Sequence, residues 1–212
     1  MKPLVILGSG GLAREIAWLI EDNNKNNPEW EILGFVSDDH FDSEYRYPIL
    51  GDDEWLLNYP KKIDAVCAIG NPEIKERIWN RYKENENISF PVIISRHAVV
   101  SDSAKMEDGV IICAGSIVSV NTNFGRFTIC DRKTTIGHES CTGNYVTISP
   151  GANVSGNVKI GERAFLGTGS NIIQGISIGD NSIIGAGATV IRDIPENCTA
   201  VGVPARIINS KE

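Results

Sequence analysis

The chain has 212 residues, of which 42% are apolar, and it carries a net charge of −7 with a sequence pI of about 5.1. An acidic protein without a basic cluster is unsuited to nucleic acid or to an anionic membrane, so we expect neither as a partner. The apolar stretches are too short to span a bilayer, and the five cysteines lack C-x-x-C spacing, so we expect a cytoplasmic protein with reduced thiols and no bound metal.

The first part of the chain alternates strand-like and helix-like segments. Residues 3–8 form a continuous apolar run, which is typical of a buried parallel strand. Residues 12–23 follow with apolar side chains on one helical face. The alternation continues through strands at 32–37 and 63–70 and helices at 52–58 and 72–84. This βαβαβα order predicts an α/β domain over residues 1–92, with a small Rossmann-like parallel sheet and helices packed on it.

The turn after the first strand is rich in glycine and consists of Gly8, Ser9, Gly10 and Gly11. It follows a strand and opens a helix, so its N–H groups and the helix dipole favour a bound phosphate. A tight strand-to-helix turn also uses glycine for backbone reasons alone, so the motif is weak evidence when taken by itself.

Polar residues end the next two strands at the same edge of the predicted sheet. Asp38 and Asp39 end the second strand, where a nucleotide ribose or base could be bound, and Gly70 and Asn71 end the third. The carboxyl ends of parallel strands converge on one crevice, which is the usual ligand position in open α/β sheets. A domain of this size supplies only half of a full dinucleotide-binding fold, so we expect a single nucleotide there rather than NAD.

A six-residue period begins at Val100 and runs to Val190. Every sixth residue is apolar in fifteen of sixteen cases, and Thr142 is the exception. Neither a helix nor an antiparallel strand pattern keeps this period in phase, so residues 93–212 are predicted to form a hexapeptide-repeat solenoid. In each repeat the large apolar residue points inward, a small residue fills the corner, and glycine permits the turn.

These repeats resemble the left-handed parallel β-helix of the hexapeptide acyltransferases, in which three hexads form one triangular coil. The N-terminal GSGG, the phrase IGHESCTGNYVTISPGA and the ending VGVPARII narrow the likeness. Together they resemble the bacterial sugar O-acyltransferase family, which includes the sialic-acid O-acetyltransferases and the nucleotide-linked amino-sugar N-acetyltransferases. The likeness extends over essentially the whole chain, and it implies a left-handed β-helix after the Rossmann-like domain.

The phrase that contains His138 and Glu139 is the candidate catalytic centre. An amine that attacks a thioester must lose a proton, and an imidazole, which titrates near neutral pH, is a natural acceptor. A carboxylate can orient the ring, but adjacent residues of a flat strand face opposite ways. Glu139 therefore helps only if the backbone turns there, as Gly137 would permit. The resemblance implies that His138 is the base and Glu139 its helper; the alternative is a surface histidine on a solenoid corner.

Gly156 follows His138 by eighteen residues, which is one coil. It should therefore stack on the histidine at the strand spacing of about 4.8 Å, where its N–H could bind a developing oxyanion. The resemblance points to the same residue, and a plain turn glycine is the alternative.

Some family members carry a second histidine where this chain has Thr147, a position that touches the acyl-CoA in the amino-sugar N-acetyltransferases. Thr147 would keep a hydroxyl group there.

The last coils carry mostly small side chains, which would let a slender pantetheine arm lie close to the backbone. The resemblance places acetyl-CoA there, with Thr168 and Ala186 at contact positions. The tail GVPAR matches the family's ending, and Arg206 could meet the CoA phosphates. The alternative is that the small residues serve only the packing of the coils and that Arg206 is simply exposed to solvent.

The resemblance implies an acetyl-CoA-dependent N-acetyltransferase that acts on a nucleotide-linked amino sugar of the dideoxy type in polysaccharide biosynthesis. The nucleotide would lie in the crevice of the Rossmann-like domain, and the amine would attack the thioester directly. The family closes its solenoid faces by trimerising, so we expect a homotrimer with active sites between subunits. Two alternatives stay open, O-acetylation of a sialic-acid-like sugar and a non-catalytic binding solenoid.

Overall fold

The computed structural model of the protein describes residues 1–38 and 46–210. The chain divides into two compact units, Met1–Pro91 and Val92–Glu212. In the part of the chain that is described, no helix has both the length and the apolar character needed to cross a membrane. Asp39, one of the predicted ligand-binding residues, lies outside the described residues.

The first unit is an α/β domain built on a parallel sheet. Its elements are β1 (Lys2–Leu7), α1 (Gly11–Asn24), β2 (Trp30–Val36), β3 (Ile49–Gly51), α2 (Asp53–Leu57), β4 (Ile63–Cys67), α3 (Pro72–Tyr82) and β5 (Ile88–Ser89). The strands lie in the order β3-β2-β1-β4-β5 and every neighbouring pair is parallel. The central position of β1 explains its continuous apolar run, because Leu4, Val5 and Ile6 are fully buried.

Two of the three helices described in this unit begin at a residue whose side chain caps them. The side chain of Asp52 accepts hydrogen bonds from the first N–H groups of α2, and the side chain of Asn71 does the same for α3. Helix α1 begins after Gly10 without a side-chain cap.

The thiol of Cys67 at the end of β4 is buried, and burial raises its pKa to about 12, so it stays protonated.

The predicted element order was incomplete in this unit, because β3 and β5 were missed. They contain three and two residues, respectively. Such short segments are too small to show a periodic pattern, and only pairing with β2 and β4 identifies them as strands.

The second unit is a parallel β-helix of two-residue strands that ends in two longer ones. The strands are β6 (Ile93–Ile94), β7 (Val99–Val100), β8 (Lys105–Met106), β9 (Ile111–Ile112), β10 (Ile117–Val118), β11 (Asn123–Phe124), β12 (Ile129–Cys130), β13 (Thr135–Ile136), β14 (Cys141–Thr142), β15 (Thr147–Ile148), β16 (Asn153–Val154), β17 (Lys159–Ile160), β18 (Phe165–Leu166), β19 (Asn171–Ile172), β20 (Ser177–Ile178), β21 (Ile183–Ile184), β22 (Thr189–Val190), β23 (Cys198–Val201) and β24 (Arg206–Ser210). The β-helix begins at β6, one strand before the predicted start of the repeat at Val100, and β24 closes it by pairing antiparallel with β23.

Three sheets of six, five and eight strands form the sides of the β-helix. From β6 to β19 each strand pairs with the strand that lies 18 residues later, as Thr135 does with Asn153, whereas β21 pairs with β23 at a spacing of 16 residues. The second residue of most strands points into a continuous apolar core. Thr142, the one polar residue in the six-residue pattern, is satisfied because its hydroxyl lies 3.0 Å from that of Thr128 and accepts the Gly125 N–H at 3.1 Å.

Candidate active site

His138 and Glu139 lie in the turn between β13 and β14, where the six-stranded sheet meets the five-stranded sheet. We call this turn, together with the turns stacked on it, the histidine corner (residues 119–122, 137–140 and 155–158). The Nδ1 atom of His138 lies 2.9 Å from Oε2 of Glu139, and both side chains are about half exposed to solvent. Because Nδ1 faces the carboxylate, Nε2 is the ring nitrogen available to accept a proton.

The backbone of Glu139 explains how two adjacent residues meet. Its φ of +60° is in the left-handed region, which non-glycine residues seldom adopt. The Glu139 N–H donates to the carbonyl of Val120 in the coil before, at 3.0 Å, and this bond holds the turn. The backbone therefore turns at Glu139, as the contact between two adjacent side chains requires, and the left-handed residue of this turn is Glu139 itself.

Gly156 lies directly against the imidazole of His138. A Cβ added to Gly156 would be 2.4 Å from Nε2 of the ring, so the ring occupies the volume that any larger residue would need. The Asn157 N–H donates to the His138 carbonyl at 2.7 Å, which fixes the two coils together at this point. Gly156 is buried, and within the part of the chain that the structure describes its N–H makes no hydrogen bond, so this donor is unsatisfied beside the imidazole.

Gly137 is needed for close contact between the two backbones. A Cβ at this position would be 2.4 Å from the Gly156 nitrogen. The glycines at 137 and 156 thus serve different purposes, because the first lets the coils approach and the second leaves room for the imidazole. A turn formed only for backbone reasons would not require an empty position under a histidine ring.

The residues predicted to contact acetyl-CoA lie mainly at a different corner. Thr168 and Ala186 are exposed and occupy equivalent positions in the turns that follow β18 and β21, and the Gly187 N–H donates to the Thr168 carbonyl at 2.8 Å. This corner joins the eight-stranded and six-stranded sheets, so one face of the β-helix separates it from the histidine corner. Its exposed backbone and small side chains fit a narrow pantetheine arm.

The other two predicted acetyl-CoA residues differ in exposure. Thr147 is buried in β15 with 6% of its surface exposed, and its neighbours in the sheet are Ile129 and Phe165. Arg206 is exposed at the start of β24, and its guanidinium donates to the Ala205 carbonyl at 3.0 Å. Arg206 is therefore accessible to a phosphate, whereas Thr147 is largely covered.

A cavity of about 370 Å³ lies in the first unit at the carboxyl ends of its strands. Two of the predicted ligand-binding residues, Gly8 and Asp38, line it. Gly8 has a φ of +97°, a conformation that favours glycine. Ser9 lies beside this turn, and its hydroxyl donates to that of Ser37, a cavity residue, at 3.1 Å.

The remaining predicted residues of the crevice do not line this cavity. Gly10 and Gly11 begin α1, and a Cβ at either would meet nothing within 4 Å, so open space surrounds them. Gly70 is in similarly open surroundings. Asn71 instead caps α3, since its side-chain oxygen accepts the N–H groups of Glu73 at 2.9 Å and Ile74 at 3.2 Å.

Sequence reasoning missed the charged residues that helices contribute to the cavity. Asp53 begins α2 and forms an ion pair with Arg81 of α3, and it also accepts a hydrogen bond from the Tyr82 hydroxyl. Burial, followed by the contact with Asp53, raises the pKa of Tyr82. Arg77 also lines the cavity. The sequence of α3 did contain a signal for these cavity residues. The helical i, i+3, i+4, i+7 spacing places four of them on one face of the helix, namely Ile74, Arg77, Ile78 and Arg81.

Metal ligands are not clustered in the described residues. Within 1–38 and 46–210, no group of three or more His, Cys, Asp or Glu side chains is arranged to hold an ion. The chemical groups that the histidine corner presents are the imidazole of His138, the carboxylate of Glu139 and the backbone of Gly156.

Two protein families match the chain. Residues 3–82 match the family described as the PglD N-terminal domain, and residues 157–192 match the bacterial transferase hexapeptide family of six repeats. A GDP-perosamine N-acetyltransferase from Escherichia coli O157:H7 is 35% identical over 115 residues. That segment covers 52% of this chain and 49% of the length of that enzyme, so it spans about half of each protein.

Solved structures match over nearly the whole chain. The acetyltransferase domain of PglB from Neisseria gonorrhoeae FA1090, in complex with acetyl coenzyme A, is 31% identical with a TM-score of 0.90, covering 98% of this chain and 99% of that one. A histidine-to-asparagine variant of perosamine N-acetyltransferase from Caulobacter crescentus, in complex with CoA and GDP-perosamine, is 29% identical with a TM-score of 0.90, covering 99% and 98%. The predicted fold class, a Rossmann-like domain followed by a β-helix, is confirmed.

The fold and the histidine corner together define a hexapeptide-repeat acyltransferase. The chain belongs to the bacterial sugar O-acyltransferase family that includes the nucleotide-linked amino-sugar N-acetyltransferases. Related structures contain acetyl coenzyme A in one case and CoA in another.

Proposed function

We propose that the protein transfers the acetyl group of acetyl-CoA to the amine of a nucleotide-linked amino sugar, as a step in polysaccharide biosynthesis. The proposal rests mainly on one observation, the imidazole of His138 lying against a glycine with its Nδ1 atom held by Glu139. Relatives that bind CoA and GDP-perosamine support it. The expected sugar is of the dideoxy type, with the nucleotide in the Rossmann-like domain.

In this mechanism acetyl-CoA supplies a thioester whose carbonyl carbon is attacked by the sugar amine, and CoA leaves as the thiol. His138 accepts the amine proton on Nε2 as the new C–N bond forms, and it can return that proton to the departing sulfur. Glu139 holds Nδ1 and stabilises the charged ring. The free N–H of Gly156 donates to the oxygen on which negative charge develops. No covalent acyl-enzyme is needed.

We propose that the site is completed by a second copy of the chain in a homotrimer. The corner with Thr168 and Ala186 lies across one face of the β-helix from His138, so a single copy separates the proposed donor and base residues. Exposed apolar side chains lie near the histidine corner, with Val99 66%, Ile117 50% and Val120 48% exposed. Association would remove this apolar area from water.

Light scattering coupled to gel filtration tests the homotrimer. We expect a mass three times the 23.1 kDa of the chain. We also expect that Ile117→Lys shifts the mass towards the monomer and lowers acetyl transfer, because a charge would replace apolar surface at the contact. A fully active monomer would contradict the assembly.

The cytoplasmic location stays a proposal that the cysteines support. All five thiols are free in the structure, as a reducing compartment requires.

Substrate profiling tests the proposed reaction directly. Purified protein is incubated with acetyl-CoA and a panel of nucleotide-linked amino sugars, with a free sialic acid as the hydroxyl acceptor, and products are identified by mass spectrometry. We expect an acetamide on an amino-sugar nucleotide. Acetylation of the sialic acid alone would assign the protein to O-acetyl transfer, and the absence of any acetylated product would contradict the proposed function.

A further inference from the structure

The cavity of the first unit is lined by both aliphatic and charged side chains. Its volume of about 370 Å³ is in the range of small-ligand pockets. The walls are formed by Leu7, Val36, Ile69, Ile74 and Ile78. The charged groups are Asp38, Asp53, Arg77 and Arg81. Aliphatic side chains suit the faces of an aromatic base, and charged groups can form hydrogen bonds with the polar atoms on its edge.

The two carboxylates of the cavity differ in the hydrogen bonds and ion pairs that they form within the protein. Asp53 is held by the guanidinium of Arg81 and by the hydroxyl of Tyr82. Asp38 forms no hydrogen bond or ion pair with any residue that the structure describes, although its charge acts on Tyr82 and so lies near this network. Among the described residues, Asp38 is therefore the cavity carboxylate whose two oxygens have no partner within the protein.

We infer that this cavity binds a guanine base and that Asp38 selects it. A carboxylate offers two acceptor oxygens and no donor. Guanine places two donors side by side, N1–H and the N2 amino group, on the edge it uses for base pairing. Uracil and thymine flank their one N–H with two carbonyls, while adenine and cytosine set a ring acceptor beside their amino group. Each of those edges would bring an acceptor towards one carboxylate oxygen.

Arg77 adds a donor of the kind that the opposite edge of guanine accepts. The O6 and N7 atoms of guanine form a pair of acceptors, and arginine is their commonest protein partner. Arg77 lines the same cavity from α3 and has no ion-pair partner among the described residues. The inference deepens the proposed function, because it names the nucleotide part of the amino-sugar substrate as a guanosine diphosphate.

Calorimetric titration of the full-length protein with nucleoside diphosphates provides the test. We expect GDP to bind at least about 10-fold more tightly than UDP, dTDP or ADP, since a hydrogen bond to a charged group contributes about that factor or more. Inosine diphosphate, which lacks only the N2 amino group, should bind about 10-fold more weakly than GDP. A preference for UDP or dTDP, or equal binding of GDP and inosine diphosphate, would overturn the inference.

The substitution Asp38→Asn sharpens the test by exchanging one acceptor for a donor. It should weaken GDP binding by about 10-fold or more and improve binding of xanthosine diphosphate, whose 2-carbonyl accepts where guanine donates. Asp102→Asn, an exposed aspartate of the β-helix, is the matched control and should leave the preference for GDP unchanged. An equal loss for every nucleotide in Asp38→Asn would show a contact to ribose instead and would overturn the assignment.

The inference and the proposed function can fail separately. Acetylation of a UDP-linked or dTDP-linked amino sugar would preserve the proposed function while removing the guanine assignment. Selective GDP binding without acetylation of any amine would preserve the guanine assignment and remove the proposed function.

Discussion

Glu139 holds an unfavourable backbone conformation at the point where its carboxylate meets His138. A non-glycine residue at positive φ costs about 1–2 kcal/mol, and a glycine there would avoid that cost. Equivalent turns of the same β-helix do use glycine at this position, for example Gly175 at +77°. Phe127, Lys133 and Arg163 adopt the same left-handed φ in other turns of the β-helix, so this strain belongs to the repeat, and Glu139 is distinguished by the contact of its carboxylate with the imidazole.

Glu139→Gly should separate stability from activity. We expect the free energy of unfolding to rise by about 1 kcal/mol, because the strain is released, and turnover to fall by about 10-fold or more, because the imidazole is no longer oriented. Glu139→Gln is the matched control, since it keeps the backbone strain but removes the charge. Denaturant titrations and steady-state kinetics measure both effects, and a Glu139→Gly variant of full activity would contradict the role of the carboxylate.

Gly156 is the residue on which the position of the imidazole depends. Gly156→Ala places a methyl group where Nε2 now lies, so we expect turnover to fall by about 100-fold with little change in the KM for acetyl-CoA. If the loss acts through the displaced ring, the double variant with His138→Ala should be no slower than His138→Ala alone. Fully additive losses in this cycle would mean that Gly156 acts independently of the histidine.

At the level of elements, the β-helix stacks equivalent positions and allows matched comparisons. Ser116 and Ser170 are both buried and are separated by three coils. The Ser116 hydroxyl donates to the Asp131 carbonyl at 2.9 Å and lies 3.0 Å from the Thr134 hydroxyl. The Ser170 hydroxyl is buried without a partner in the part of the chain described by the structure. The two serines thus occupy equivalent buried positions but differ in their hydrogen bonds.

This difference predicts opposite effects of the same substitution. Ser170→Ala should raise the free energy of unfolding by about 1 kcal/mol, because an unsatisfied buried hydroxyl is removed. Ser116→Ala should lower it by about 1–2 kcal/mol, because it leaves its partners unsatisfied. Urea titration of the two variants measures both, and equal destabilisation would show that the Ser170 hydroxyl is satisfied in solution.

The β-helix was largely readable from the sequence because one physical rule repeats in every coil. An apolar residue at nearly every sixth position determines which side chain enters the core, and that pattern sets the strand positions from Val100 to Val190. The first unit was less readable, since β3 and β5 gain their identity only from neighbours in the sheet. The cavity was less readable still, because Asp53 and Arg81 meet across 28 residues of sequence.

For the whole molecule, the sequence indicated the chemistry of each unit but not the arrangement of its residues. The pair of His138 and Glu139 could be named from a local phrase, and Gly156 from the length of a coil. The left-handed turn at Glu139 could not, because nothing in the residue itself favours that conformation. The two units divide the proposed function between nucleotide binding in the first and acetyl transfer in the second.

The account as a whole depends on the imidazole of His138 acting as the base, and the kinetics of His138→Ala test this most directly. Turnover of acetyl-CoA with an amino-sugar nucleotide should fall by about 10²–10⁴-fold, with both substrates still bound. His97→Ala, an exposed histidine outside the catalytic phrase, is the matched control and should retain full turnover. A His138→Ala enzyme that turns over at the rate of the unmodified protein would contradict the account.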